Sequence, residues 1–215
     1  MILYGSTMSP FVRKVAAFAA EKGVEIELKA TTLGDPDPEF RAASPFGKMP
    51  ALVDGDYRLS DSSAIIHYLE AKYPEPELIP ADPELRGRTI WFDEFADTIL
   101  FDCGRKMFFN RVVAPRFLGR DGDLAIADTA EREELPPLLD YLERVIPDSG
   151  YLVGDRFTLA DIAVAGPFAN FRHSGVSIDE GRYPRVTRYV ASILARPSFA
   201  PHVQRETAYL ERQPA

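Results

Sequence analysis

The sequence holds a single cysteine, Cys103, so no intramolecular disulfide is available to it. Cys103 stands in an apolar, helix-like stretch, where a free cysteine usually acts as a small buried hydrophobe. Histidine is scarce too: His67, His173 and His202 show no metal-site spacing, and no second cysteine could help them. This excludes the common zinc arrangements and leaves the metal expectation at none. No apolar run approaches the roughly 20 residues of a membrane-spanning helix. No long basic run occurs and the net charge is -8, which argues against nucleic acid or an anionic membrane as the main partner. Phosphate-loop and hydrolase-triad motifs are absent, as are internal repeats. The start, Met1-Ile2-Leu3-Tyr4, enters a strand pattern without a charged leader, so the expected compartment is the cytoplasm.

What is present centres on Phe46-Gly47-Lys48-Met49-Pro50-Ala51-Leu52-Val53 and the segment Leu59-Ser60-Asp61-Ser62-Ser63-Ala64-Ile65-Ile66. Proline cannot donate to a sheet ladder, so Pro50 belongs at a strand start or edge. Met49-Pro50 is a candidate cis peptide in a tight turn. Such a turn turns the Met49 N–H and C=O outward, where an extended peptide can pair with them as an added strand. Asp54-Gly55-Asp56 then signals a hairpin. Asp61-Ser62 opens a helix whose apolar residues fall at Ile65, Ile66, Leu69 and Tyr73. The start of that helix suits a carboxylate, and Asp61 beside it can accept from an ammonium. A peptide-pairing backbone, a carboxylate site and an ammonium site in one short segment suit a small zwitterionic peptide.

Lys48-Met49-Pro50-Ala51-Leu52 followed by Ser60-Asp61-Ser62-Ser63-Ala64-Ile65 resembles the glutathione-binding half of cytosolic glutathione S-transferases. The plainer alternative is a hairpin and a capped helix with no ligand. The order and spacing of the two motifs favour the ligand. The resemblance extends over nearly the whole chain. It implies an α/β thioredoxin-like N-terminal domain over residues 1–76 and an all-α helical C-terminal domain over 85–215 that carries the acceptor-substrate pocket. Tyr73 to Pro83, with Pro74, Pro76, Pro80 and Pro83 among acidic residues, reads as the linker.

Along the chain, Met1 to Tyr4 and Val24 to Leu28 read as strands. Between them Ser9-Pro10 starts a helix that Gly23 ends. Pro38 to Ala43 suits one short helix. After the linker the pattern is helical throughout. Leu85 to about Phe117 reads as one long helix, kinked or ended near Pro115. Leu124 to Val145 reads as another, which Pro136-Pro137 should kink or break. Phe157-Thr158-Leu159-Ala160-Asp161-Ile162 is a capping box, with Thr158 at the cap and Asp161 reaching back to the Thr158 N–H. Tyr183 to Ala195 and Ser198 to Leu210 complete the helices.

Glutathione reacts as its thiolate, so a protein using it must stabilise a sulfur anion near neutral pH. Ser9 offers a hydroxyl at the positive end of the first helix. The run Ser9-Pro10-Phe11 through Val15 resembles the tau class, where the serine at this position is catalytic. It also resembles the omega class, which has a cysteine there. The likeness is thus to serine-type, tau/omega-like bacterial members. Ser9 cannot form a mixed disulfide, which disfavours glutathione-dependent reduction. Thr7 and Ser6 are rivals on the same loop, with Thr7 second to Ser9; Tyr4 reads as core or wall.

By the same resemblance, Asp61 and Ser62 hold the γ-glutamyl end. Met49 pairs through its backbone with the cysteinyl unit, and Lys48 meets the glycyl carboxylate. Arg13 and Arg41 have no readable role. The acceptor pocket is expected between the domains, with Trp91, Phe95, Phe101, Met107 and Phe108 as candidates for its wall. The implied activity is conjugation of the glutathione thiolate to a small hydrophobic electrophile, by a homodimer. Two alternatives stand beside it: glutathione-dependent isomerisation or dehalogenation, and a non-catalytic glutathione-binding or scaffold protein of the same fold.

Overall fold

The computed structural model describes residues 1–32 and 34–212. Leu33 and the last three residues of the expected C-terminal domain lie outside the described residues. The chain divides into two compact units, Met1–Ile79 and Pro80–Ala215.

The first unit is built on a four-stranded sheet in the order β2-β1-β3-β4, with β1 at Ile2–Tyr4, β2 at Glu27–Lys29, β3 at Ala51–Asp54 and β4 at Tyr57–Ser60. β1 runs parallel to β2 and antiparallel to β3; β3 and β4 form the hairpin. Gly55 supplies φ +60° at the first central position of the two-residue turn, a place that favours glycine. α1 (Pro10–Glu21) follows β1 and buries Val12, Val15, Phe18 and Ala19, one face at helical spacing. It packs against α3 (Ser62–Lys72), which buries Ile65, Ile66 and Leu69. Tyr4, Phe40, Ala43 and Ala51 form a separate buried cluster where α2 (Pro38–Ala43) meets the strands. Tyr4 is thus core, tilted against Phe40 with ring centroids 5.9 Å apart.

Two expectations shift here. The second strand begins at Glu27 rather than Val24. The Val24 N–H is already bonded to Ala19 C=O at the end of α1, and the ladder opens only where Glu27 N–H reaches Met1 C=O. The segment after α3 is also not a free linker from Tyr73 onward. The buried Lys22 ammonium donates to the Pro74 and Pro76 carbonyls, at 3.2 and 2.5 Å. Glu70 Oε1 accepts the N–H groups of Leu78 and Ile79, both at 3.2 Å. Pro74 to Ile79 is thereby strapped to the first unit. Met49-Pro50 is cis, as is Glu75-Pro76.

The second unit is helical. Asp82 caps Glu84 N–H and Leu85 N–H at 3.1 and 3.0 Å and starts α4 (Pro83–Glu94), two residues before the expected start. Helix continues through α5 (Phe101–Phe108) and α6 (Ala114–Phe117), joined by the π-turn segments Phe95–Leu100 and Phe109–Val113. α7 (Leu124–Thr129) passes into α8 (Leu135–Val145) through a third π-turn segment, Ala130–Glu134. Pro136-Pro137 therefore falls in the first turn of α8, behind the widened turn, and the chain stays helical. The i→i+5 spacing opens the turn whose carbonyls the proline rings would otherwise strike.

α9 (Leu159–Ala165) is buried at every residue, and α10 (Pro167–His173) follows it directly. α11 (Pro184–Leu194) and α12 (Ala200–Arg212) end the described chain. His173 Nε2 lies 3.1 Å from Glu206 Oε2, a buried contact between α10 and α12. Among the described residues no helix is long and apolar enough to cross a membrane.

The capping box of α9 is present in both directions. Asp161 accepts from Thr158 N–H and Leu152 N–H, each at 2.9 Å, and Thr158 Oγ1 accepts from Ala160 N–H at 3.3 Å. Burial pushes the Asp161 carboxyl up to about 6, against the pull of these donors. A folded-state value above the ordinary one means that the fold holds the proton more tightly. The contribution is therefore complete below about pH 4 and is lost as pH rises through about 6. Urea unfolding should show wild type leading Asp161→Asn most at about pH 4, the lead shrinking by up to about 3 kcal/mol by pH 7. A lead that grows with pH would mean that the bonded carboxylate is the preferred form. Thr158→Ala should cost about 1 kcal/mol in the same assay.

Candidate glutathione site

The sheet register brings the sequence candidates to one end of the first unit. Tyr4 pairs with Ala51, and Ala51 with Ser60. The loop after β1, the Met49-Pro50 turn before β3 and the Asp61 corner after β4 are therefore neighbours. Gly5 seals the first two together. At φ +146° a Cβ built on it would meet Val12 Cγ2 at 2.5 Å and Met49 Cβ at 3.4 Å, so only glycine lets the loop pass between them. At α3, Lys14 Nζ on α1 donates to Ser63 Oγ at 3.2 Å, which ties the two helix starts together.

Ser9 occupies the N-cap position of α1 with extended backbone, φ -76° and ψ 125°, and makes no side-chain cap bond. Its N–H donates to Ser6 C=O at 2.9 Å and its C=O accepts from Arg13 N–H at 3.0 Å. The main chain is thus fixed from both sides. Among the described residues no hydrogen bond engages the Ser9 hydroxyl, which is half-buried. This departs from a plain N-cap serine, whose oxygen accepts a helix N–H. Thr7 is the more enclosed rival at 9% exposure, and Ser6 Oγ accepts from Met8 N–H at 3.3 Å.

Met49 is half-buried, and among the described residues neither its N–H nor its C=O is hydrogen-bonded. Both groups are open to an extended partner. The neighbouring Lys48 is held differently. Ser44 Oγ accepts from Lys48 N–H at 2.9 Å and donates to Lys48 C=O at 2.6 Å. The main chain is pinned while the exposed side chain has no ion pair among the described residues.

Asp61 caps α3 by accepting Ala64 N–H on Oδ1 at 3.0 Å, and it is exposed. Its φ of +82° is a region that a residue with a Cβ enters only at a cost of about 1–3 kcal/mol, a kind of strain that clusters at ligand sites. Ser62 beside it is 4% exposed.

Sequence reasoning missed two positioning residues. Ser44 carries no signal beyond its place before Pro45, and the close approach at Gly5 depends on a contact 44 residues away in sequence. Arg41 acquires a structural role: its guanidinium donates to the carbonyls of Asp35 and Gly34 at 2.8 and 2.7 Å. Of the apolar candidates in the second unit, Phe95 and Met107 are core, at 3% and 0% exposure. Trp91 is exposed, with Nε1 donating to the Tyr141 hydroxyl at 3.1 Å. Cys103 is buried, and its thiol is pushed up to about 12 by that burial, so it has no thiolate to offer near neutral pH.

Two family models match the chain. They describe the glutathione S-transferase N-terminal domain, over residues 3–77, and the glutathione S-transferase C-terminal domain, over residues 115–192. The chain belongs to the glutathione S-transferase family. It is 33% identical to a glutathione S-transferase of Hyoscyamus muticus, over 95% of this chain and 98% of that one. It is 34% identical to glutathione S-transferase 3 of Zea mays, over 92% and 90%. A solved glutathione S-transferase from Methylobacterium radiotolerans, in complex with glutathione sulfonate, superposes with a TM-score of 0.76 at 30% identity, covering 94% and 93%. This transferase accordingly has the thioredoxin-like N-terminal and helical C-terminal architecture of its family, with glutathione as co-substrate. Among the described residues no group of acidic, histidine or cysteine side chains could hold a metal ion.

Proposed function

We propose that this transferase conjugates the thiolate of glutathione to a small hydrophobic electrophile, with the Ser9 hydroxyl stabilising the sulfur anion. The observation that carries this reading is a half-buried hydroxyl without a hydrogen-bond partner among the described residues, at the start of α1 and on the sheet end that also holds Met49 and Asp61. In this reading the Met49 N–H and C=O pair with the cysteinyl unit of glutathione. Asp61 takes the γ-glutamyl ammonium through its remaining carboxylate oxygen, Ser62 and the first turn of α3 take the γ-glutamyl carboxylate, and Lys48 meets the glycyl carboxylate. The test is turnover with glutathione against haloaromatics, epoxides and maleyl compounds. Activity confined to the maleyl compounds would point to isomerisation, and none with any electrophile to a binding role.

Asp61 supports the tightest prediction on binding. Because it also caps α3 at positive φ, Asp61→Ala would disturb the helix as well as the site. Asp61→Asn keeps an acceptor and a residue tolerant of that backbone while removing the charge. Calorimetry should find glutathione bound roughly tenfold or more weakly to Asp61→Asn, the scale of a charge-assisted contact. Equal affinity would take Asp61 out of the site.

The assembly we propose is a homodimer, and the compartment the cytoplasm. Phe46 supports the dimer: it is 88% exposed in a loop that is otherwise well tied, an apolar surface suited to burial by another chain. Light scattering at micromolar concentration should give about twice the chain mass for wild type and a shift toward the monomer for Phe46→Asp. A monomeric wild type would reject the proposal.

A further inference from the structure

The two ends of the proposed glutathione site differ in how tightly they are built. At the γ-glutamyl end, Asp61 is held at φ +82° with Oδ1 accepting Ala64 N–H at 3.0 Å. Ser62 is buried, and the buried Lys14 donates from Nζ to Ser63 Oγ at 3.2 Å. Each of these groups has a fixed position. At the other end the fixed part is the main chain. The buried Ser44 accepts Gly47 N–H on its C=O at 2.9 Å, and its hydroxyl holds both the N–H and the C=O of Lys48. The side chains of this turn are open: Pro45, Phe46 and Lys48 are all exposed. Arg41 is the other cation of the segment. Its Nε and Nη2 donate to the carbonyls of Asp35 and Gly34, and a Cβ on Gly47 would stand 3.0 Å from its Nη1, so the guanidinium is packed against the turn. Of the two cations, Lys48 is the one without an ion pair or side-chain hydrogen bond among the described residues.

A lysine ammonium is a point charge on a flexible four-carbon stem, unlike the arginine fork, which fixes a carboxylate in one geometry. An exposed ion pair of this kind changes affinity by no more than about fivefold. Such a contact can follow a carboxylate displaced by one methylene, and an exposed turn accommodates a small added side chain. Resting on the glutathione reading of this site, we propose that the transferase reads its thiol co-substrate at the γ-glutamylcysteinyl part and leaves the third residue free to vary among small ones. γ-Glutamylcysteinyl peptides that end in β-alanine or serine are then co-substrates beside glutathione, and Lys48 senses only the terminal charge.

The experiment is calorimetric titration of the full chain, as it assembles in solution, with five peptides. They are glutathione, its β-alanine and serine analogues, its C-terminal amide, and the isomer in which glutamate is joined through its α-carboxyl. Wild type should bind the β-alanine and serine peptides within about fivefold of glutathione. The α-linked isomer, which misplaces the ammonium and carboxylate at Asp61 and Ser62, should bind roughly tenfold or more weakly. The amide should bind more weakly than glutathione, by up to about fivefold. Lys48→Gln, shown to be folded by circular dichroism, should bind glutathione and the amide equally, a levelling that a merely structural role for Lys48 would not produce. A loss beyond about fivefold for the β-alanine or serine peptide, an α-linked isomer that binds as well as glutathione, or an amide difference that persists in Lys48→Gln would overturn the proposal while leaving the transferase reading in place. Wild type that binds none of the five would reject that reading and the proposal with it.

Discussion

Ser9→Ala should raise the pKa of enzyme-bound glutathione thiol by about one to two units and lower turnover at neutral pH by roughly tenfold or more. The start of a helix favours a negative charge by about 0.3–1 kcal/mol. A hydrogen bond from a hydroxyl to a charged acceptor adds about 1.5–3 kcal/mol. At about 1.36 kcal/mol per unit, the hydroxyl alone accounts for the expected shift of about one to two units, and the helix contribution survives the substitution. The sign follows directly: the donor stabilises the thiolate, so removing it favours the thiol. Glutathione affinity should change little, because the peptide's other contacts lie on Met49, Asp61 and Lys48. Ultraviolet absorbance of the bound thiolate against pH, for wild type, Ser9→Ala and Thr7→Ala, separates the candidates. A titration that moves in Thr7→Ala and stays put in Ser9→Ala would transfer the role to Thr7. If neither moves it, the backbone at the start of α1 is the stabiliser. Ser9→Cys should lose conjugation and gain thiol-disulfide exchange, since a thiolate at a helix start is a competent nucleophile.

Local rules made some features legible before the structure was in view. Pro10, Pro38 and Asp61 each declare a helix start, and Gly23, Gly55 and the Thr158 box declare a stop, a turn and a start. These depend on the residue's own backbone preferences, so a linear reading finds them. The features that escaped depend on contacts between distant segments. Val24 has the alternation of a strand residue but is taken by the end of α1. Pro136-Pro137 signalled a kink or a break, and what the sequence did not show is the π-turn segment just before them, which keeps the chain helical through the prolines. Ser44 gives nothing away because its hydroxyl acts on Lys48 across a loop. Ser9 could be placed at a cap from sequence, but whether its oxygen spends itself on the helix is a matter of geometry alone. The strap at Pro74 to Ile79 was the largest departure, since proline-rich acidic segments usually stay free.

That strap leads to the largest stability effect we expect. Lys22 Nζ lies 2.5 Å from Glu70 Oε2, with side-chain exposures of 0% and 11%, as a close ion contact rather than an aligned hydrogen bond. The same ammonium holds the Pro74 and Pro76 carbonyls, and the same carboxylate holds the N–H groups of Leu78 and Ile79. One buried pair therefore fastens α1, α3 and the segment that follows α3. Lys22→Met keeps the bulk of the chain but strands a buried carboxylate, a change that typically costs about 3–5 kcal/mol. Glu70→Gln should cost less, because an amide oxygen can still accept from one or both N–H groups while leaving the ammonium with its two carbonyls. The double variant should then be less destabilised than the sum of the two, since it no longer contains an unpaired buried charge. Urea unfolding of all four proteins measures the cycle. Limited proteolysis supplies a local readout, with cleavage near Pro74 to Ile79 appearing in Lys22→Met under conditions where wild type is intact. A loss below about 1 kcal/mol in Lys22→Met, with this segment still protected, would show that the strap is held by its apolar residues Leu78 and Ile79 and not by the ion pair.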